Sequence, residues 1–259
     1  MTTAADLADR VVAAERAGLV LDFDGTLAPI VADPETSALP PRLVPVLAGL
    51  AARLPLVAVV SGRPVAFLAE RVDVAGVRLL GLYGLEQWLD GRRVVRPEAA
   101  VWQEAVDRAR RRLREAVAGR DGVVVEDKGL AVAVHFRNAP DRAAAAEAVA
   151  EAVAAVAADT GLRREPGKLV EELRPPVDVD KGAGVRALAQ ELGLDVVVYV
   201  GDDLGDLPAF AAARDLGGGA IAVDHGAETP AAVRDAADAV LDGTDAVADW
   251  LTALRDHLA

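Results

Sequence analysis

At 259 residues with 53% hydrophobic side chains, the chain suits one large domain or a core carrying a second, smaller one. Its 28 basic and 41 acidic residues leave a formal charge of −13, which turns the average surface away from duplex nucleic acid and anionic membranes; a small anionic substrate must meet a local cationic patch. The absence of cysteine excludes disulfides, thiolate catalysis and cysteine-ligated zinc.

The opening residues, Met1-Thr2-Thr3-Ala4-Ala5-Asp6, lack the basic-then-apolar pattern of a signal peptide, and no apolar run reaches membrane length, so the expectation is a soluble, cytoplasmic chain. A strand is predicted over residues 18–23, followed by a Pro-punctuated loop and a helix over 41–54. The apolar run 56–60 is a second strand ending at Ser61-Gly62-Arg63-Pro64; a helix over 65–71 and a strand over 77–82 follow. Strands separated by helical stretches imply right-handed β-α-β units and a parallel sheet with both faces covered.

From Trp88 the pattern changes. Asp90-Gly91 signals a hairpin, a charged helix is predicted from 98 to about 117, and two further hairpins flank an alanine-rich helix over 141–158. Those hairpins are predicted over 123–136, turning at Lys128-Gly129, and over 162–173, turning at Pro166-Gly167. This is a separate α+β unit, placed at 98–176 between Pro97 and Pro175-Pro176. The first pattern then resumes with a helix over 181–192, a strand over 196–200, a helix, a strand over 219–223 and a terminal helix over 244–257. The predicted fold is therefore α/β: a doubly wound parallel-sheet core, residues 1–97 and 177–259, with an inserted α+β domain. No Gly-x-Gly-x-x-Gly follows a strand, which argues against a dinucleotide cofactor.

In such sheets ligands bind at the carboxyl ends of strands. Four segments put chemically complementary groups there: Asp22 and Asp24, then Ser61, then Lys181, then Asp202, Asp203 and Asp206. A two-residue period aims Asp22 and Asp24 the same way while Phe23 enters the core. Close carboxylates repel unless a cation or a shared proton relieves them. A carboxylate that attacks phosphorus splits a hard hydrolysis into two easier steps, and a second one two residues on can give and take the proton. Oxygen ligation by Asp22, the Asp24 carbonyl and Asp202 suits Mg²⁺, with Ser61 bonding a phosphoryl oxygen and Lys181 stabilising its charge.

These motifs resemble the haloacid dehalogenase superfamily of phosphatases, whose four motifs occur here in order. The resemblance implies Asp22 as nucleophile, Asp24 as acid/base, and Asp22, Asp24 and Asp202 as Mg²⁺ ligands, with Asp206 and Asp203 supporting the metal site. A narrower resemblance, to the trehalose-6-phosphate phosphatases, rests on Asp-Phe-Asp-Gly-Thr-Leu-Ala-Pro-Ile from Asp22, Ser61-Gly62-Arg63, Gly81-Leu82-Tyr83-Gly84-Leu85-Glu86 and Asp180-Lys181-Gly182. In the insert it rests on Glu126-Asp127-Lys128, His135-Phe136-Arg137, Gly167-Lys168 and Glu172-Leu173-Arg174-Pro175. It implies that the insert is a cap that grips the sugar, with Glu126, Lys128, Lys168 and Glu172 on trehalose hydroxyls. Parity agrees, since Glu126 and Lys128 are two apart and Lys168 and Glu172 four apart.

Gly62, Arg63, Glu86, His135 and Arg137 complete the candidate substrate set. For these the residues leave alternatives: Arg63 binds phosphate or caps a helix, Glu86 binds sugar or pairs with Arg63, His135 is a base or a satisfied, partly buried residue, and Arg137 binds substrate or makes a structural pairing. His225 reads as a loop residue without a metal partner.

The expected reaction is Mg²⁺-dependent hydrolysis of trehalose 6-phosphate by a monomer, with a related phosphorylated disaccharide, glycosyl-glycerate or pseudo-disaccharide as the alternative substrate. The family commonly writes its fourth motif Gly-Asp-Asp-x-Thr-Asp-Glu, whereas this chain has Gly205 and Leu207 at the Thr and Glu positions. A phospho-accepting signalling receiver shares the Asp, Ser and Lys. It needs no sugar-gripping insert, and its acceptor would not sit on the first strand.

Overall fold

The computed structural model describes residues 2–31, 33–167 and 169–258. It divides the chain into two compact units, one formed by the residues up to Val94 together with those from Val179 onward, the other by Val95–Asp178.

The first unit is built on the apolar runs. Strands β1 (Ala17–Leu21) and β2 (Leu56–Val60) are buried at every position, so helices must cover both faces. The strand period sends Leu19, Leu21, Val57 and Val59 into one core with helices Ala4–Ala13, Leu43–Ala51 and Gly243–His257. Val20, Ala58, Val60 and Tyr199 enter a second core with helices Lys181–Leu192 and Leu207–Asp215. Strands β3 (Val77–Gly81), β4 (Glu86–Leu89) and β5 (Arg92–Val95) lie on one side of this pair.

Numbering on through the four strands of the second unit, β6 (Val124–Asp127), β7 (Val132–His135), β8 (Arg163–Gly167) and β9 (Val170–Arg174), the remaining strands are β10 (Val196–Gly201), β11 (Gly219–Asp224) and β12 (Ala239–Asp242). The eight-stranded sheet has the order β12-β11-β10-β1-β2-β3-β4-β5, parallel from β12 through β3 and antiparallel between β3 and β4. The carboxyl ends of β1, β2, β3, β10 and β11 therefore face the same way. No described helix is long and apolar enough to cross a membrane.

Several elements depart from expectation. The first strand stops at Leu21, and the N-terminal helix, closed by a reciprocal Thr3–Asp6 cap, was not foreseen; nor was β12. The charged helix is interrupted: Pro97–Ala100 and Gln103–Ala116 are separate, and Trp102 at the break lies against Gly161, which ends helix Arg142–Thr160 with φ 74°.

In the second unit the strand order is β6-β7-β9-β8, all antiparallel. Val132, Val134 and Leu173 pack with Val106, Leu113, Val149 and Val153 from two helices, so the helices cover one sheet face. The second hairpin does not turn at Pro166-Gly167: Pro166 pairs with Glu171 and Gly167 with Val170, and Leu169, with φ 62°, lies in the turn. Pro166 is tolerated because β8 is an edge strand, where a missing amide need not break a ladder.

Candidate active site

The end of β1 sets the geometry. The Asp22 amide donates to the Val200 carbonyl at 2.9 Å, extending the β1–β10 pairing by one residue, and Phe23 is fully buried. The chain then folds back through bonds from the amides of Leu27 and Ala28 to the Phe23 carbonyl. Gly25 has φ 77°, and a Cβ there would overlap the Asp202 carboxylate, so both backbone and space require glycine.

Because β1 ends at Leu21, the strand period does not govern the two aspartates, and they go to different partners. Asp22 is 5% exposed and accepts from Lys181 Nζ at 2.6 Å. Asp24 accepts from Ser37 Oγ at 2.8 Å and from the Arg63 guanidinium, Nε at 2.8 Å and Nη2 at 3.0 Å. Arg63 also lies over the Phe67 ring and donates from Nη2 to the Pro34 carbonyl at 3.0 Å, while the helix it precedes, Val65–Arg71, has no side-chain cap.

Ser61 follows β2 directly, is buried, and accepts from the Arg63 amide at 3.1 Å. Lys181 opens its helix after Asp180, whose side chain caps the Ala183 amide. That start turns the ammonium inward, where Nζ donates to Asp22 and Asp206 at 2.6 Å each. Asp206 is fully buried and saturated: besides Lys181 it accepts from Tyr199 Oη at 2.6 Å and from the amides of Asp202 and Asp203 at 3.0 Å. Asp203 turns away to the Leu204 amide.

Carboxylate oxygens of Asp22, Asp202 and Asp206 all lie within 4.8 Å of one another, and Asp202 Oδ1 is buried with no hydrogen-bond partner. An all-oxygen donor set with one unsatisfied buried carboxylate oxygen fits a hard divalent cation such as Mg²⁺. Since Asp206 already holds four donors, Asp22 and Asp202 are the side chains with ligand capacity, and the side chains of Asp24 and Asp203 lie outside this group.

Electrostatics follow from the crowding. Burial pushes the Asp22 carboxyl well above the usual range; Lys181 opposes this and the Asp206 and Asp202 charges reinforce it. Asp202 is raised to about 7, by burial and then by Asp206, against the favourable charges of Lys181 and His225. Burial works against the Lys181 charge, but Asp206 and Asp22 outweigh it and hold the ammonium above its ordinary range. Burial and the same carboxylates raise the Tyr199 phenol.

Of the remaining candidates, Glu86 is 1% exposed and structural: it accepts from the Val65 amide at 2.9 Å and from Arg93 Nε at 2.7 Å, so its partner is Arg93 and not Arg63. Gly62 is needed for space, since a Cβ there would come within 2.8 Å of Tyr83 Oη. In the second unit, Lys128 Nζ bonds Glu172 at 2.6 Å and His135 Nε2 bonds Glu126 at 2.7 Å. Glu126 and Glu172 both register with Ala133 and share the sheet face opposite Val132 and Val134. Arg137 is exposed just after β7. Lys168 lies outside the described residues; the strand that carries Glu172 begins at Val170, so the parity argument, which needs one strand running from 168 to 172, does not apply.

Sequence reasoning missed Ser37, Tyr199, His225 and Tyr83. His225, just past the end of β11, bonds the Gly25 carbonyl through Nε2 at 2.6 Å. Its only signal was a strand carboxyl end; that of Tyr199 was a hydroxyl in an otherwise aliphatic strand. Tyr83 follows β3 with φ 62° and ψ 20°, next to Leu82 with φ 48°. Consecutive left-handed bulky residues cost about 1–2 kcal/mol each.

The trehalose-phosphatase family profile matches residues 20–243. The chain belongs to this family. A trehalose-phosphate phosphatase of Mycolicibacterium paratuberculosis is 40% identical over 210 residues, 78% of this chain and 53% of that protein. An uncharacterized glycosyl hydrolase of Mycobacterium tuberculosis is 37% identical over 220 residues, 82% of this chain but 16% of that protein. The chain thus spans about half the length of the first relative and a small part of the second.

Among solved structures, a trehalose-6-phosphate phosphatase related protein superposes with TM-score 0.77 at 24% identity, covering 92% of this chain and 97% of that one. A haloacid dehalogenase-like hydrolase from Bacteroides thetaiotaomicron gives 0.64 at 18%, covering 92% and 98%. At these identities the likeness is one of fold. The trehalose-phosphatase match spans both units, and the two departures in the fourth motif fall differently: Gly205 is exposed, while Leu207 is half-buried at the start of its helix.

Proposed function

We propose that the chain is a Mg²⁺-dependent phosphatase that hydrolyses trehalose 6-phosphate to trehalose and inorganic phosphate through an aspartyl phosphate. The observation that carries this reading is the buried Lys181 ammonium bridging Asp22 and Asp206, beside an Asp202 oxygen that lacks a partner. It supports a buried carboxylate nucleophile whose charge is opposed by burial and favoured by the Lys181 ammonium.

Asp22 attacks phosphorus while the bond from phosphorus to the sugar O6 breaks, and Asp24 gives its proton to that oxygen, so neutral trehalose leaves. Water then attacks the aspartyl phosphate, Asp24 takes its proton, and the bond from phosphorus to the Asp22 oxygen breaks. Arg63 and Ser37 hold the Asp24 carboxyl group in place between the two steps. The Ser61 hydroxyl and Lys181 bind the phosphoryl oxygens as charge develops on them. Asp22, Asp202 and the Asp24 carbonyl would hold Mg²⁺, which would supply positive charge against the carboxylates and the phosphoryl group. For the sugar, the reading uses Glu126, Lys128, His135 and Glu172 on the polar sheet face of the second unit, with Arg137 just after β7; Lys168 joins them by the family resemblance alone. Paired ammonium and carboxylate groups offer the donors and acceptors that hydroxyls require.

Phosphate release from trehalose 6-phosphate, glucose 6-phosphate and sucrose 6-phosphate, with and without Mg²⁺, tests it. The expected result is preference for trehalose 6-phosphate, dependence on Mg²⁺, and loss of at least about a thousandfold in turnover for Asp22→Asn. Equal rates on all three substrates would remove the disaccharide assignment, and an active Asp22→Asn would remove the nucleophile.

A further inference from the structure

We infer that Tyr83 touches the leaving alcohol and that glycine at 205 leaves one edge of its ring uncovered, so that the two together set substrate preference; this rests on the phosphatase reading above. Tyr83 stands just past the carboxyl end of β3, on the same edge of the sheet as Asp22, Ser61 and Asp202. Its position is pinned by two bonds to the loop after β2: the Leu82 amide donates to the Arg63 carbonyl and the Tyr83 amide to the Ser61 carbonyl, both at 2.9 Å. The ring reaches from that loop toward the fourth motif. On one side it lies against Gly62, where a Cβ would sit 2.8 Å from Oη and 2.9 Å from Cζ. On the other, a Cβ at Gly205 would sit 4.0 Å from Cε1, an ordinary contact, so a branched side chain there would pack against the ring edge that glycine leaves uncovered.

Both loops flanking the ring carry site residues, Ser61 and Arg63 on one and Asp206 on the other, and both present glycine to it. The backbone at 83, with φ 62°, would be served better by glycine, so the ring is what this position offers. It is half-buried, with an apolar face and a polar tip. That combination suits a sugar, which presents a C–H face and hydroxyls together. The family's usual threonine is missing at 205, and the space left is next to this ring.

The test compares kcat and KM for trehalose 6-phosphate and for methyl phosphate, which has no sugar, in the wild type, Tyr83→Phe, Tyr83→Gly, Gly205→Thr and the Tyr83→Gly/Gly205→Thr double variant. Tyr83→Gly relieves the left-handed backbone, and thermal melting checks that it folds. It is expected to lower kcat/KM for trehalose 6-phosphate about tenfold, mainly through KM, while methyl phosphate changes less than about threefold. Tyr83→Phe loses a smaller part. Gly205→Thr shifts the preference the same way and adds little once the ring is gone. Equal losses on both substrates, unchanged sugar preference, or full additivity in the double variant would overturn the inference while leaving the phosphatase reading intact. A wild type that hydrolyses methyl phosphate but no sugar phosphate would refute the disaccharide reading first, and this one with it.

Discussion

Lys181→Met tests the electrostatic core of the site. The ammonium is 5% exposed and sits 2.6 Å from one oxygen of Asp22 and 2.6 Å from one of Asp206, with Asp202 in the same cluster. Methionine keeps most of the volume and removes the charge. Breaking a buried ion pair by deleting one partner costs about 3–5 kcal/mol, because the other charge stays buried without compensation. For a catalytic unit of this size, each kcal/mol moves the melting temperature by roughly 2–4 °C, so the variant should melt about 6–20 °C lower in EDTA at pH 8.

The deficit has a sign in pH. Burial already raises the folded-state pKa of Asp22, and removing its cation raises it further, whereas an unfolded aspartate titrates near 3.9. Below that value both states are protonated and the deficit is small; it grows as pH rises through the folded-state pKa. Mg²⁺ should restore part of the stability by replacing the lost charge, and Asp206→Asn in the same background should restore part without metal. Differential scanning calorimetry from pH 5 to 8, with EDTA or Mg²⁺, reads all of this. A Lys181→Met protein that melts with the wild type at pH 8 in EDTA would refute the argument.

Asp202 makes metal binding pH-dependent. Its carboxyl is raised to about 7, so Mg²⁺ must displace a proton below that pH; affinity should rise up to about tenfold per pH unit and level off above about 7. The same shift makes the metal-free chain lose stability as pH climbs from about 4 to about 7, since there the folded state binds more protons than the unfolded one. Titration calorimetry in buffers of different ionisation enthalpy checks it, and pH-independent affinity with no proton release would refute it. His225→Ala should free the Gly25 carbonyl and lower kcat about three- to tenfold, with recovery in His225→Gln, whose amide can still donate; equal loss in both variants would mean that the bond positions nothing. Gly25→Ala combines a positive φ with overlap on the Asp202 carboxylate, so it should cost about 1–3 kcal/mol and abolish Mg²⁺ binding; retained binding would show that the loop can yield.

What could be read beforehand divides along a physical line. Strand β2 and helices Val65–Arg71 and Lys181–Leu192 have the expected bounds because their signals are local: an apolar run buried on both faces, a proline before the first turn, an aspartate that caps. The acids and Lys181 were legible for a related reason, since charge crowded at strand ends is costly enough to demand an explanation from chemistry. Groups that satisfy that charge leave no such mark. Ser37 reaches Asp24 across 13 positions and His225 reaches Gly25 across 200, and neither differs in sequence from an ordinary loop residue.

Glu86 shows the converse. An acid inside a family motif suggested substrate, yet the Val65 amide and Arg93 occupy it. The Pro166-Gly167 turn failed similarly, because the dipeptide signal is conditional on both neighbours being paired, and on an edge strand that condition lapses. Sequence chemistry therefore identifies where charge needs an answer, and tertiary contact decides which neutral or distant group gives it. Asp206 is the clearest case: its acid was predictable, but the four donors that exhaust it, and so leave Asp22 and Asp202 with the capacity to ligate, exist only once β10, the turn after it and Lys181 are brought together.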